Sequence, residues 1–305
     1  MAFKGPDERA MDRGFKQNQE IRKVREKDEL REHQTEIIKK GYERAVEVFE
    51  ETGRIDPENF TYYDKTSIAQ DLEYVAEKKR MFDAGDTAEG KEHARLAEIL
   101  EAIIYEQAEL SEWLGKNVST IRASDFDNIR NGCDAIAEFE DERSVSHMAL
   151  AIDVTYTRSD MEKKVNRIRE EITSGDLTKI KYFKSPDGSY EGALLKVPRV
   201  IVAIDKTHVL GLADTWLKNK KKELANHPIQ ILILKEIALQ LEKFIQHAQK
   251  VGRTELVPIF ERRLKFITAA RENKTKQALA EDPRTADYIL EDRVFAELRY
   301  QVEKI

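Results

Sequence analysis

The stretch from Ser124 to Thr157 reads SDFDNIRNGCDAIAEFEDERSVSHMALAIDVTYT, and it is the clearest β-rich part of an otherwise helical chain. Two strands are predicted in it, Cys133–Glu140 and His147–Thr157, separated by an acidic turn from Asp141 to Ser144. Before the first strand, Asp125–Asn128 and Asn131-Gly132 have the composition of turns. Successive side chains of a strand point to opposite faces of a sheet. The pattern therefore predicts two adjacent antiparallel strands at the centre of the fold.

An acidic residue interrupts the second of these strands. Asp153 lies in the apolar run from Met148 to Val154, which otherwise has the composition of a central strand. An ionised carboxylate there costs several kcal/mol unless it is paired, hydrated or bound to a cation.

Asp134 on the preceding strand is the natural neighbour of Asp153, because a hairpin can bring the two carboxylates together on one face. Clustered carboxylates are what Mg²⁺ requires, with water and phosphate oxygens completing its octahedron. The alternative is a pair of acids satisfied by Thr155, by a lysine or by backbone N–H groups. Both interpretations remain open at this point.

Composition limits the classes of protein to which the chain can belong. It has 305 residues, 40% hydrophobic and 36% charged, and the charged fraction exceeds the roughly 25% of an average globular chain. Cys133 is the single cysteine, which excludes an internal disulfide and a multi-cysteine zinc site and fits a reducing compartment. The charged N-terminus and the shortness of the apolar runs predict a soluble, cytoplasmic protein that does not enter a membrane.

Helical periodicity dominates on both sides of the β-rich stretch and predicts three regions. Residues 1–91 are expected to form a helical N-terminal arm and a docking helix, 92–225 an α/β core, and 226–305 a C-terminal helical region. The core reads helix, strands, helix, strands, helix, which is typical of an α/β layout around a sheet. The chain is expected to be predominantly helical overall. The arm is either a solvated charged helix or a surface for a partner protein.

Two predicted helices of the core carry charged residues of interest. In the helix from Glu92 to Leu114, most glutamates, Glu101 among them, fall opposite the apolar arc. Glu106 lies on the border of that arc and is the carboxylate expected to face a site. In the helix from Met161 to Ile172, Lys164 flanks the core side.

Several common chemistries have no motif in the chain. It has no phosphate-cradling glycine loop, no GxSxG sequence and no HxxxH spacing among its six histidines. Between Arg158 and Lys222, however, 15 Lys/Arg stand against nine Asp/Glu, although the whole chain has a formal net charge of −6. This locally basic segment is either a binding surface for a polyanion or an ordinary solvated surface.

The order of these features resembles the PD-(D/E)xK nuclease superfamily. Asn131-Gly132-Cys133-Asp134 stands where the first aspartate of that motif belongs, and Ile152-Asp153-Val154-Thr155 stands where (D/E)xK belongs. The resemblance covers about residues 92–210. It implies a restriction-endonuclease-like fold, with a mixed central sheet flanked by helices, and Mg²⁺-dependent cleavage of phosphodiesters.

Carried over by position, the resemblance implies that Asp134 and Asp153 bind the metal and that Glu106 is the acid of the first helix. Thr155 occupies the position of the motif lysine, which in that family orients or activates the attacking water. Lys164, on the next helix, is the candidate replacement for this lysine.

Three hypotheses of function follow. The first is a metal-dependent nuclease, or nuclease-like protein, acting on nucleic-acid phosphodiesters with Mg²⁺ or Mn²⁺. In it, Asp134, Asp153, Lys164 and Glu106 are the catalytic residues. The second is a catalytically silent module on the same fold that binds nucleic acid or protein, with the helical arms as contacts for partners. The third is a helical scaffold in which the α/β segment is architectural.

Overall fold

The β-rich stretch forms the middle of a four-stranded mixed sheet. The computed structural model describes residues 6–85, 87–139, 148–281 and 292–305, so the turn predicted at 141–144 lies outside the described residues. The strands of this sheet, in spatial order, are β1 (Val118–Arg122), β2 (Ala135–Phe139), β3 (Met148–Thr155) and β6 (Arg199–Ala203). The first three are antiparallel, and β6 is parallel to β3. A separate hairpin consists of β4 (Thr178–Lys184) and β5 (Glu191–Val197).

Most of the remaining described residues are helical, as the periodicity predicts. The helices are α1 (Pro6–Thr52), α2 (Lys65–Gly85), α3 (Ala88–Ser111), α4 (Asp125–Asn131), α5 (Met161–Ser174), α6 (Lys206–Leu217), α7 (Lys221–Ala225), α8 (Ile229–Lys250), α9 (Val257–Glu281) and α10 (Arg293–Val302). No helix in the described ranges is long and apolar enough to cross a membrane.

The largest cluster of buried apolar side chains draws on all three predicted regions. Ile37 comes from α1, Ile152 and Val200 come from the sheet, and Phe244 and Phe260 come from the C-terminal helices. By contrast, the part of α1 from residue 22 to residue 33 is exposed. Among the side chains of α1 that the structure describes, from residue 22 onward, those that pack on the body therefore lie in the C-terminal half of the helix.

Helix α8 covers the edge of the sheet at β6. The side-chain amide of Gln240 accepts a hydrogen bond from Ile201 N at 2.9 Å and donates one to Ile201 O at 2.7 Å. Glu236 accepts from Ala203 N at 2.9 Å. These side chains satisfy backbone groups that a further strand would otherwise pair, so this edge is closed to strand addition.

Two elements differ from the prediction. Strand β1 was not predicted, and helix α4 stands where Asp and Asn residues predicted a turn. Ser124 explains the helix, because its hydroxyl accepts a hydrogen bond from Asp127 N at 3.0 Å and caps the N-terminus. Gly132, with φ of 63°, ends the helix in the left-handed region. Helix α4 thus connects β1 to β2 and leads directly into Asp134.

Candidate functional site

Asp134 and Asp153 lie at the same end of the β2–β3 pair. The antiparallel ladder ends with Ala135 opposite Ile152. Just beyond it, Asp134 N donates to Ile152 O at 2.9 Å, so Asp134 lies beside this part of β3. The charge of Asp153 contributes to the raised pKa of Asp134. The structure thus brings together the two carboxylates that the sequence singled out.

The carboxylate of Asp134 is held by two donors at the end of the ladder. Asn128 Nδ2 donates to Oδ1 at 2.9 Å, and Val154 N donates to Oδ2 at 2.7 Å. Desolvation, followed by the negative charge of Asp153, raises the pKa of Asp134 to about 7. Asp134 therefore titrates near neutral pH.

A lysine from α5 reaches Asp153, as the sequence predicts. Lys164 Nζ lies 2.5 Å from Asp153 Oδ1, and the Asp153 residue is only 8% exposed. The helix is fixed by its buried side chains, which include Val165 and Ile168. Lys164 is one turn from Ile168 and is therefore directed along the sheet toward β3.

Glu101 is the helix carboxylate that approaches this pair. Desolvation, followed by the charge of Asp134, raises the pKa of Glu101 well above its usual value. Glu101 and Asp134 line one small cavity together with Arg122 and Val154. The cavity measures about 10 Å³, close to the space that one water molecule needs.

Glu106 does not take the role predicted for it. Its Oε2 accepts hydrogen bonds from Trp216 Nε1 at 2.7 Å and from Gln107 Nε2 at 3.0 Å, and Arg44 lies 3.9 Å from Oε1. It therefore joins α3 to α1 and α6. The helical wheel treated the apolar arc as the only buried face, whereas α3 also packs on the sheet, and that packing covers Glu101.

Two arginines fix the end of α4 beside Asp153. Arg199 Nη1 donates to Asn131 O at 2.6 Å, and its Nη2 donates to Glu171 Oε1 at 2.6 Å. Arg167 Nη2 donates to Arg130 O at 3.2 Å. Cations are favourable at a helix C-terminus. A Cβ added at Gly132 would lie 2.9 Å from Arg199 Nη1 and 3.9 Å from Asp153 Oδ2.

Thr155 and Cys133 offer no replacement for the motif lysine. The Thr155 hydroxyl accepts a hydrogen bond from Thr157 N at 3.4 Å. Cys133 is buried, its thiol donates to Ala135 O at 3.2 Å, and burial raises its pKa well above the usual range. A thiol with a raised pKa is a poor nucleophile.

Asp127 is a second buried carboxylate, in a segment for which the sequence predicted a turn. Its two oxygens accept from Ser124 Oγ (2.8 Å) and Asn131 Nδ2 (2.8 Å), and from the backbone N–H groups of Lys181 (2.8 Å) and Tyr182 (3.0 Å). Desolvation raises its pKa, and the four donors partly offset that rise. The hydrogen bonds of Asp127 thus connect α4 to β4.

The donors at the site suit a hard cation with few protein ligands. No group of three His, Cys, Asp or Glu side chains able to hold a metal occurs among the described residues. Mg²⁺, however, is usually bound through one or two carboxylates, with water and substrate phosphates supplying the other oxygens. The neighbouring carboxylates of Asp134 and Asp153 meet that description.

Comparison of the chain with protein-family models, with curated proteins and with solved structures finds no match in any of the three.

Proposed function

We propose that this protein is a Mg²⁺-dependent nuclease of restriction-endonuclease-like fold that hydrolyses nucleic-acid phosphodiesters. The observation that carries the proposal is the proximity of Asp134 and Asp153 at the end of the β2–β3 ladder, with Lys164 Nζ 2.5 Å from Asp153. The mixed sheet and the helices that flank it agree with the fold that the motif resemblance implies.

Asp134 and Asp153 are the residues that hold the metal in this proposal. A bound Mg²⁺ supplies a Lewis acid that polarises the phosphoryl group and offsets the charge that develops on it. Asn128 and the Val154 N–H fix the orientation of Asp134, so its carboxylate needs little rearrangement.

Lys164 and Glu101 complete the site. The Lys164 ammonium pairs with the nearly buried carboxylate of Asp153. With substrate bound, the same ammonium donates a hydrogen bond to the attacking water, which is the role of the motif lysine. Glu101, whose pKa is raised well above its usual value by burial, lines the small cavity together with Asp134.

One contact favours a second candidate function. Lys164 already compensates the charge of Asp153, so the fold does not require a cation at this position. A catalytically silent module that binds nucleic acid on the same scaffold is consistent with that contact. The two functions differ in whether a divalent cation binds and whether phosphodiesters are cleaved.

The experiment is a cleavage assay on single- and double-stranded DNA and RNA with Mg²⁺, Mn²⁺ or EDTA. Wild type is compared with Asp153→Asn and with the control Asp214→Asn, which changes a surface aspartate paired with Lys218 on α6. We expect metal-dependent cleavage that Asp153→Asn abolishes and Asp214→Asn retains. Cleavage that survives Asp153→Asn would exclude the proposed site, and binding without cleavage would favour the silent module.

A further inference from the structure

A cleft of about 410 Å³ lies beside β1, at the edge of the sheet opposite the one that α8 covers. Its walls are the C-terminal end of α1, helix α3, strand β1 and the turn after β4. The two edges therefore differ: the β6 edge is sealed by Gln240 and Glu236, whereas the β1 edge borders an open cleft.

The charges in this cleft favour an anionic occupant. Arg54, Arg122 and Lys184 line it, and Glu109 is its only acidic lining residue within the described chain. Glu109 accepts a hydrogen bond from Thr120 N at 2.5 Å. Arg54 is paired with Asp125, and Lys184 lies 3.7 Å from Glu191, but neither of these acids lines the cleft. The cleft thus has an excess of cations along a groove, which is the electrostatic pattern of a site for a phosphate backbone.

The cleft adjoins the candidate site. Tyr105 and Arg122 line both the cleft and the small cavity that Glu101 and Asp134 also line. A strand lying in the cleft would consequently be separated from Asp134 by these two side chains.

Size and lining favour a single strand over a duplex. A volume of 410 Å³ is near the lower end of the roughly 300–1,000 Å³ that accommodates one drug-sized ligand, so one or two nucleotides fit. The Tyr105 ring offers a stacking surface for a base.

We propose that this cleft binds a single-stranded nucleic-acid segment and guides it to Asp134 and Asp153. The inference rests on the proposed nuclease function and narrows its substrate class to single strands or frayed ends. Cations at the cleft contact phosphates, and Tyr105 stacks on a base.

The test is fluorescence anisotropy in EDTA with a labelled 12-nucleotide oligo-dT and a blunt duplex of equal length. Lys184→Met and Tyr105→Leu are compared with wild type. Lys218→Met is the matched control, because Lys184 and Lys218 are 58% and 56% exposed and each pairs with one acid. Measurements at several salt concentrations give the number of phosphate contacts.

We expect wild type to bind the single strand about tenfold more tightly than the duplex. Tyr105→Leu should weaken that binding about tenfold, the typical effect of losing one stacked base. Lys184→Met should weaken it several-fold and reduce the salt slope by about 0.7. Lys218→Met should change neither. Equal affinity for the duplex, no binding to either probe, or unchanged binding in both cleft variants would overturn the inference.

Because EDTA prevents metal-dependent cleavage, this assay is independent of the proposed catalysis. If the cleft variants lose binding but wild type does not cleave with Mg²⁺, single-strand binding in the cleft is supported and the nuclease function is excluded. If wild type cleaves and the cleft variants cleave equally well, the nuclease function stands and the cleft inference fails.

Discussion

Asp127 and Asp134 are seven residues apart, and both have pKa values raised by desolvation, yet their surroundings differ in kind. Asp127 accepts four hydrogen bonds and has no carboxylate among the causes of its raised pKa. Asp134 accepts two, and the charge of Asp153 contributes to its raised pKa. A carboxylate whose oxygens are saturated with donors has a structural role. One with fewer donors and a second acid beside it retains the capacity to bind a cation.

The largest expected effect is on cleavage by Asp134→Asn. The substitution preserves shape but removes one of the two proposed metal ligands, so the rate with Mg²⁺ should fall on the order of 10³-fold. The pKa of Asp134 is about 7 in the folded state and exceeds its value in the unfolded state. Wild type therefore loses stability as the pH rises from the unfolded pKa to the folded pKa. Asp134→Asn should therefore be more stable than wild type at pH 8 in urea unfolding. A variant that is both inactive and less stable would indicate that Asp134 has a structural role instead.

The matched substitution Asp127→Asn should have the opposite effect on stability. Its amide nitrogen would face two of the four donors, so we expect the free energy of unfolding to fall by about 2–4 kcal/mol. Urea denaturation at pH 7 measures the loss. A loss below about 0.5 kcal/mol, within the range of ordinary surface substitutions, would remove the distinction between the two aspartates.

Gly132, between these two aspartates, tests how closely the end of α4 must fit the site. Gly132→Ala adds a Cβ at 2.9 Å from Arg199 Nη1 in a left-handed residue. We expect a loss of about 1–2 kcal/mol together with slower cleavage, because Asp153 lies beside this contact. Gly188→Ala is the control, since Gly188 also has positive φ but nothing within 4 Å. Equal effects on stability and cleavage in the two variants would mean that the Arg199 contact is unimportant.

Glu236 is a third buried carboxyl, and its substitution should have the smallest effect of those described. Burial raises its pKa well above the usual value. The folded state therefore binds this proton more tightly than the unfolded state, and stability falls as pH rises above about 4.5 toward the folded pKa. Glu236→Gln keeps the acceptor for Ala203 N and removes the titration.

Urea unfolding at pH 5 and pH 8 should show that Glu236→Gln loses less stability on the way to pH 8 than wild type does. The expected difference between the two proteins at pH 8 is about 1 kcal/mol. Parallel pH profiles would contradict this account of Glu236.

The sequence predicted the helices, the α/β arrangement and the proximity of Asp134 and Asp153, because strand alternation and hairpin geometry are local. It missed β1, and it missed α4, whose stability depends on hydrogen bonds that Asp127 accepts from backbone N–H groups of a strand more than 50 residues later. It chose Glu106 over Glu101 because a helical wheel cannot show that α3 packs on several sides. The three- and four-residue spacing of Glu98, Glu101 and Tyr105 was the available signal for a second buried stripe.

Calorimetric titration of the wild-type protein with Mg²⁺ at pH 7, in buffers of different ionisation enthalpy, tests the central claim most directly. A divalent cation held by Asp134 and Asp153 must displace the proton of a group whose pKa is about 7. We predict binding that releases about half a proton at pH 7 and almost none at pH 9, and that is lost in Asp153→Asn but retained in Asp127→Asn. Absence of Mg²⁺ binding, or proton release that persists in Asp134→Asn, would contradict the assignment of this pair as a metal site.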